Sequence, residues 1–313
     1  MTNWLMFIAL GLIWGSSFLL IKLSVLELGT FPLVAIRLVL ASLGFIVFLL
    51  LSRKSIPHDR KTLIWMVVLG LTNTTLPFLL ITWGETLISS GLAGVLNGTV
   101  PLFSMLFAHM FLHDDKIHFG KIIGLIAGFV GIVVLATRPA AAPGGAAAAS
   151  ASTNAIEGQL AILAAAVFYG FSAVFLRRNL RHVDSMVTAG GTLTVGAISM
   201  LILTPIIAAL SGTPLPNLTQ VSSTALISVI VLGVLNTFIA YILFFTLLRN
   251  WGASRSTMVT YAMPPISLGL GILFGSELFD PILFVAAALI IGGVLVANLW
   301  KPQLRPQRAA GLD

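Results

Sequence analysis

The sequence predicts an all-α polytopic membrane protein: ten transmembrane helices in two inverted five-helix repeats, with both termini cytoplasmic. Three observations point there. Apolar residues of the AVILMFWYC group make up 58% of the 313 residues and charged residues 9%, with a mean hydropathy of +1.06. A soluble domain carries about 25% charged residues, so lipid is the predicted solvent for most of this chain. Second, the polar residues cut the apolar sequence into ten lengths suited to a bilayer. Third, the chain repeats itself. Val68-Leu69-Gly70 returns as Val231-Leu232-Gly233, Asn73-Thr74 as Asn236-Thr237, and Pro101 and Ser104 as Pro264 and Ser267, every pair 163 positions apart. Leu80/Leu243 and Phe111/Phe274 keep the offset, and Asp114/Glu277 keep it conservatively.

A span needs about 20 mostly apolar residues. The first, 3–23, lacks a basic leading region and a small-residue cleavage site, so it reads as a retained span and not a removed signal. Next come 31–51, 63–83, 90–111 and 119–137, bounded by Lys-, Arg- and Asp-bearing loops or by Gly-Thr and Ser-Ser breaks. Arg138 to Glu157 is rich in Ala, Gly, Pro and Ser and has no apolar period, so it reads as a flexible low-complexity linker. The spans 158–176, 185–210, 224–247, 254–275 and 281–300 follow. The predicted organisation is a first repeat over 1–137, an extracytoplasmic linker over 138–157, a second repeat over 158–300 and a cytoplasmic tail over 301–313.

Basic residues in alternate loops decide the orientation. Fourteen fall on one side: Arg53, Lys54, Arg60, Lys61, Lys116, Lys121, Arg177, Arg178, Arg181, Arg249, Arg255, Lys301, Arg305 and Arg308. The other side receives Lys22 and Arg138, and Arg37 lies inside a span. The crowded side is predicted cytoplasmic. Because five spans is an odd number, the second copy crosses in the opposite sense to the first, as in many secondary transporters.

The candidate site lies at the predicted midplane. Trp4, Trp65, Trp83, Trp251 and Trp300 fall at interfaces, whereas Trp14 lies halfway through the first span and Tyr169 at the matching depth of the sixth. Tyr241 and Tyr261 also lie within spans. Their polar tips need partners in hydrocarbon. Together with Asn73, Asn97, Thr99, Asn236 and Thr260 they describe a wet cavity that binds a small molecule. Proline inside a helix frees the carbonyl four residues back: Pro101 that of Asn97, Pro264 and Pro265 those of Thr260 and Tyr261. Such carbonyls could accept from a substrate ammonium, while Asn and Tyr donate to a carboxylate. Each polar group also has a plainer reading, a bond joining two helices that gives roughly 0.6–2 kcal/mol.

Gly120, Gly124 and Gly128 on the fifth span read either as a close approach of a neighbouring helix or as a homodimer face. Arg37, costly in a membrane, needs a partner. Its reading stays open between outward snorkelling or bonding to helix-end carbonyls, on the one hand, and a charge at the cavity mouth on the other. His109 reads as packed or interfacial. All acidic residues stand in or beside loops, so no deep carboxylate pair is expected for acid–base work, and proton coupling is disfavoured. No HExxH or Walker A motif occurs and there is no cysteine, so no enzyme, metal, cofactor or ATP-driven pump is expected. The basic residues form no stripe, which argues against nucleic acid.

Ile13-Trp14-Gly15-Ser16-Ser17-Phe18, Ala35-Ile36-Arg37-Leu38, Thr99-Val100-Pro101 and Gly128-Phe129-Val130-Gly131-Ile132-Val133 resemble the EamA-type branch of the drug/metabolite transporter superfamily. The resemblance covers nearly the whole chain outside the linker and tail, and within that branch it is greatest to YddG-type exporters of aromatic amino acids. It implies export of small metabolites from the cytoplasm across the inner membrane, by alternating access through a central cavity. Thr192 stands where Arg37 would recur, so Arg37 has no counterpart in the second copy. Drug or quaternary-ammonium efflux is the first alternative, and a passive channel the second.

Overall fold

The computed structural model describes residues 2–112, 117, 119–136, 145–251 and 256–299. Every regular element among them is helical. In chain order these are α1 (Thr2–Leu28), α2 (Thr30–Leu51), α3 (Arg60–Gly70), a π-helical turn (Leu71–Thr75), α4 (Leu76–Leu87), α5 (Ser90–Asn97), α6 (Val100–Phe111), α7 (Phe119–Ala136), α8 (Gly145–Asn179), α9 (Ser185–Ser211), α10 (Ser223–Gly233), a second π-helical turn (Val234–Ile239), α11 (Ala240–Trp251), a 3₁₀ turn (Thr257–Ala262), α12 (Met263–Phe274) and α13 (Pro281–Leu299).

Eight helical stretches among the described residues are long and apolar enough to cross a bilayer, and Phe119–Leu135 and Pro281–Ala297 are shorter apolar helices. The usable range for a span begins at about 17 residues. The protein is therefore a multi-pass, all-α membrane protein.

Local chemistry starts and stops these helices. Asp59 Oδ2 accepts from Thr62 N (2.9 Å), Ser89 Oγ from Leu92 N (3.3 Å) and Ser222 Oγ from Ala225 N (3.2 Å), each capping a helix that opens there. Asp184 takes the same role at α9. One residue separates α1 from α2, and it is Gly29 at φ 75°, where a side chain would be strained.

The predicted linker turns out partly structured. Helix α8 begins at Gly145, so 145–157 are helical, whereas residues 138–144 lie outside the described residues, as does the tail. The stretch is alanine-rich, and alanine has the highest helix propensity. Composition without an apolar period signals absent packing, not absent helix.

The predicted third, eighth, fourth and ninth spans are all interrupted near their middles. The π-helical turns hold Asn73-Thr74 and Asn236-Thr237. Thr75 Oγ1 donates to the carbonyl of Gly70 (3.3 Å) and Thr237 Oγ1 to that of Leu232 (2.7 Å), both reaching back five residues. Helix α5 stops at Asn97 and α6 restarts with Pro101 in its first turn; the 3₁₀ turn ends at Ala262 and α12 restarts with Pro264 in its first turn.

Packing brings distant helices together: α2 against α9, α7 against α13, α4 and α6 against α8, α1 against α10 and α12, and α5 against α12. Glycines mark the closest crossings, and they come in matching pairs. A Cβ on Gly70 would meet Val195 and the carbonyl of Thr192, and one on Gly233 would meet Leu40 and the carbonyl of Arg37. A Cβ on Gly170 would meet Phe103 and Ser104 N, and one on Gly15 would meet Ile266. Gly124 lies against the carbonyl of Gly293 and against Ala297, and Gly128 lies against Leu102. Those two glycines are therefore covered within the chain, which leaves neither free to form a dimer face. Their small size serves the contact of α7 with α13 and α6.

Candidate functional site

Arg37 is the centre of the polar interior. It is 7% exposed. Its Nε donates to Thr237 Oγ1 (3.0 Å), 200 residues away in sequence. Its guanidinium lies 4.1 Å from the centre of the Phe78 ring, a cation–π contact. Tyr169 on α8 and Tyr241 on α11 lie within its electrostatic reach, and Glu85 on α4 does too. The Asn73 side chain lies near the Tyr241 hydroxyl. Four elements thus bring groups to the guanidinium carried by α2: α4, α8, the second π-helical turn and α11.

Aromatic rings extend from this point. Tyr241 packs on Phe45 (6.5 Å between centres) and on Phe245 (6.1 Å), and Phe45 packs edge-on to Phe238 (5.3 Å). Phe245 touches Phe244, which touches Trp14 (5.3 Å). Trp14 sits at the far end of this run, against a cluster of Leu10, Ala240, Leu247 and Val259.

Trp14 apart, the sequence candidates divide into three places. Asn73 and Tyr169 join the Arg37 group. Asn236 is buried at the contact with α1: its Nδ2 donates to the Ile13 carbonyl and to Ser16 Oγ (3.1 Å) and Ser17 Oγ (3.0 Å). This is a bond joining two helices, although Asn236 Oδ1 keeps no partner. The others lie at the join of α5 and α6, where α5 packs on α12, and in the 3₁₀ turn that leads into α12. Asn97 Oδ1 is sealed there without a partner. Thr99 is buried and donates to the Leu96 carbonyl (2.6 Å), and Thr260 donates to that of Thr257 (2.8 Å). Pro101 stands in the first turn of α6, and Pro264 lies 3.0 Å from where a Gly98 Cβ would be. Tyr261 packs against the cluster of Leu102, Met105, Leu125, Val294 and Ala297.

Arg37 therefore has the partners its cost demands, Thr237 and Phe78, and it does not snorkel. Phe78, Thr237 and Tyr241 were not singled out by sequence as its companions. A second surprise is Glu85. Near the end of α4 it is 0% exposed, and both carboxyl oxygens lack a partner. Lys22 Nζ donates beside it, to the backbone carbonyls of Glu85 (2.7 Å) and Ile88 (2.9 Å). Sequence position next to a loop did not predict this burial.

A groove of about 530 Å³ lies elsewhere, lined by Leu106, Ile117, Ile122, Leu125, Ile126, Phe129, Val130, Val133 and Val134. Its walls are apolar and several are outward-facing. It offers no hydrogen-bonding group for orienting a polar solute and matches a lipid-facing furrow. The polar chemistry is at Arg37.

The family model for the EamA-like transporter family matches this chain twice, over residues 2–137 and 156–299. The chain belongs to the EamA-like transporter family. This EamA-like protein is thus a membrane transporter and not an enzyme. It is 27% identical to the inner membrane transporter YedA of Escherichia coli K12, over 94% of this chain and 89% of YedA. It is 23% identical to the transporter YoaV of Bacillus subtilis, over 92% and 94%. It is 26% identical to a probable terminal-alkyne amino-acid exporter of Streptantibioticus cattleyicolor, over 91% and 89%. A crystal structure of a protein 22% identical superposes with a TM-score of 0.63, covering 95% of this chain and 97% of the other, a likeness of fold alone.

Proposed function

We propose that this EamA-like transporter exports amino acids, aromatic ones and similar small amphipathic metabolites, by alternating access at a midplane site between two inverted five-helix repeats of the inner membrane. The observation that carries the reading is the Arg37 group. Among the described residues the guanidinium makes one hydrogen bond, through Nε. Its Nη donors form the planar fork that grips a carboxylate in two-point fashion. Phe78, Tyr169, Tyr241 and Phe45 supply apolar and π surface around that anchor. Asn73 adds an amide that can bond an ammonium or a carboxylate. An organic cation fits less well, because Arg37 is a fixed positive charge.

Paired contacts support the inverted repeat. With an offset of 155 relating α1 and α2 to α8 and α9, and 163 relating the later helices, Gly70 on Thr192 and Val195 maps onto Gly233 on Arg37 and Leu40. Gly170 on Phe103 maps likewise onto Gly15 on Ile266. A two-fold axis exchanging the halves accounts for both pairs. The similarity to a probable amino-acid exporter supports the substrate class. Opposed basic loops support cytoplasmic termini.

The test is a panel of labelled amino acids, amines and quaternary ammonium compounds offered to proteoliposomes holding the full chain. Saturable uptake and counterflow of Phe, Tyr, Trp, Thr or Met are expected. Uptake of cations alone would overturn the substrate, and flux without saturation or counterflow would make the protein a channel.

A further inference from the structure

We propose that Glu85 is a proton-binding site of this transporter, one that loads and unloads a proton during the transport cycle and so links flux to a pH gradient. The inference rests on the transport reading above but not on the identity of the substrate.

The geometry carries it. Glu85 has no solvent exposure, and neither carboxyl oxygen has a hydrogen-bond partner among the described residues. Such a carboxyl is costly to keep charged, and a proton removes that cost without a coordination shell. The surroundings are sealed but not apolar. Thr82, one turn earlier on α4, and Ser90 at the start of α5 are each fully buried with an unpartnered hydroxyl oxygen.

The charges that face Glu85 come from three elements: Lys22 on α1, Arg37 on α2, and Glu277 in the segment joining α12 to α13. From α8, Gly158 and Ile162 close over the neighbouring Gly84 and bring no charge. Neither cation forms an ion pair with Glu85. Lys22 spends its donors on the carbonyls of Glu85 and Ile88, and Arg37 is drawn to Thr237 and Phe78. Glu277 is engaged too, accepting from Ser90 N (2.5 Å) and Gly91 N (3.0 Å) at the start of α5. Of the two carboxyls, Glu85 is the one without a hydrogen-bond donor. A bound Mg²⁺ or Ca²⁺ needs about six or more oxygen ligands, whereas the unpartnered oxygens beside this carboxyl are the hydroxyls of Thr82 and Ser90; a proton needs no such shell.

Those same contacts make the site conformationally responsive. Lys22 staples α1 to the end of α4, and Glu277 staples the α12–α13 segment to α5. The Glu277 staple joins the two halves, so rocking that loosens it changes the field and the access at Glu85. The carboxyl thus meets different surroundings in states open to opposite sides.

The experiment compares the full-length protein with Glu85→Gln in proteoliposomes, using labelled phenylalanine as the probe, with a purified-protein infrared spectrum of each. A pH gradient in one orientation is expected to raise wild-type accumulation, by up to about tenfold per pH unit for one proton. Glu85→Gln is expected to lose that response while keeping phenylalanine counterflow. The infrared C=O stretch of a protonated carboxyl is expected in the wild type near neutral pH and absent from Glu85→Gln. Equal responses to the gradient in both proteins would overturn the proposal. If phenylalanine counterflow is missing from the wild type, the substrate reading fails and the infrared difference still decides: no Glu85 band means no proton site. A Glu85→Asp variant that regains the gradient response guards against a folding defect.

Discussion

Arg37 is held between the two halves of the sequence by one hydrogen bond and one ring face, and both depend on guanidinium geometry. Lysine keeps the charge but not the planar fork or the stacking. Arg37→Lys is expected to lower saturable uptake by ~10-fold or more, about 1.4 kcal/mol, in the folded fraction, with some loss of Tm from the Thr237 bond and the Phe78 face. Unaltered uptake kinetics would remove Arg37 from the site. Asn236→Ala is expected to differ: a lower Tm, with affinity kept in the folded fraction, because its amide ties the second π-helical turn to α1. At the surface, Asp184 accepts from Lys54 Nζ (2.5 Å), Met186 N (2.9 Å) and Val187 N (3.3 Å). Burial alone would raise its pKa, and these bonds together hold it below 3.8. A depressed carboxyl stabilises the fold at neutral pH and loses that contribution as pH falls below 3.8. Asp184→Ala should therefore lower Tm at pH 7, by an amount set chiefly by the lost cap at about 1 kcal/mol, and should flatten the acid limb. The Lys54 pair is about two-fifths exposed and adds little. Sequence reading reached Asn73 and Tyr169 because repetition and depth single them out. It left Arg37 undecided because its partner Thr237 is 200 residues away. An arginine within a span, without a counterpart in the other copy, was the available signal. Glu85 was misjudged because loop proximity is a one-dimensional measure, whereas its burial comes from helices remote in sequence.

At the scale of elements, the π-helical turns follow glycines at corresponding places, Gly70 and Gly233, and each glycine lies against the backbone of a helix from the other half. Repeated sequence revealed those positions, but not the change in helical geometry, which arises where Thr side chains reach back to carbonyls five residues earlier. The carbonyl contacts leave little room to relax. Gly70→Ala and Gly233→Ala are expected to destabilise by a similar ~1–3 kcal/mol each through overpacking. Gly292→Ala is the comparison, since nothing lies within 4 Å of its added Cβ; it should be neutral or stabilising by up to about 1 kcal/mol from helix propensity. Thermal melts in detergent of the three variants check the contrast. A loss from Gly70→Ala without one from Gly233→Ala would separate the two crossings.

At the scale of the molecule, composition established the solvent, and the spacing of apolar segments anticipated the helices. The all-α membrane class and most span positions were thus legible. Helix within 145–157 was not, because alanine forms helix without an apolar stripe. The gathering of Arg37, Phe78, Tyr169 and Tyr241 was not legible either, since contacts between halves depend on packing and not on local pattern. Two inverted copies around one polar centre make the central claim, and a chain without cysteine offers a clean background for testing it. Ser55 and Thr213 are both exposed, in the corresponding loops after α2 and α9. The measurement is labelling of Ser55→Cys and Thr213→Cys in intact cells with a membrane-impermeant maleimide. Thr213→Cys should label from outside and Ser55→Cys only after the membrane is opened. Labelling of both from the same side would contradict the inverted repeat.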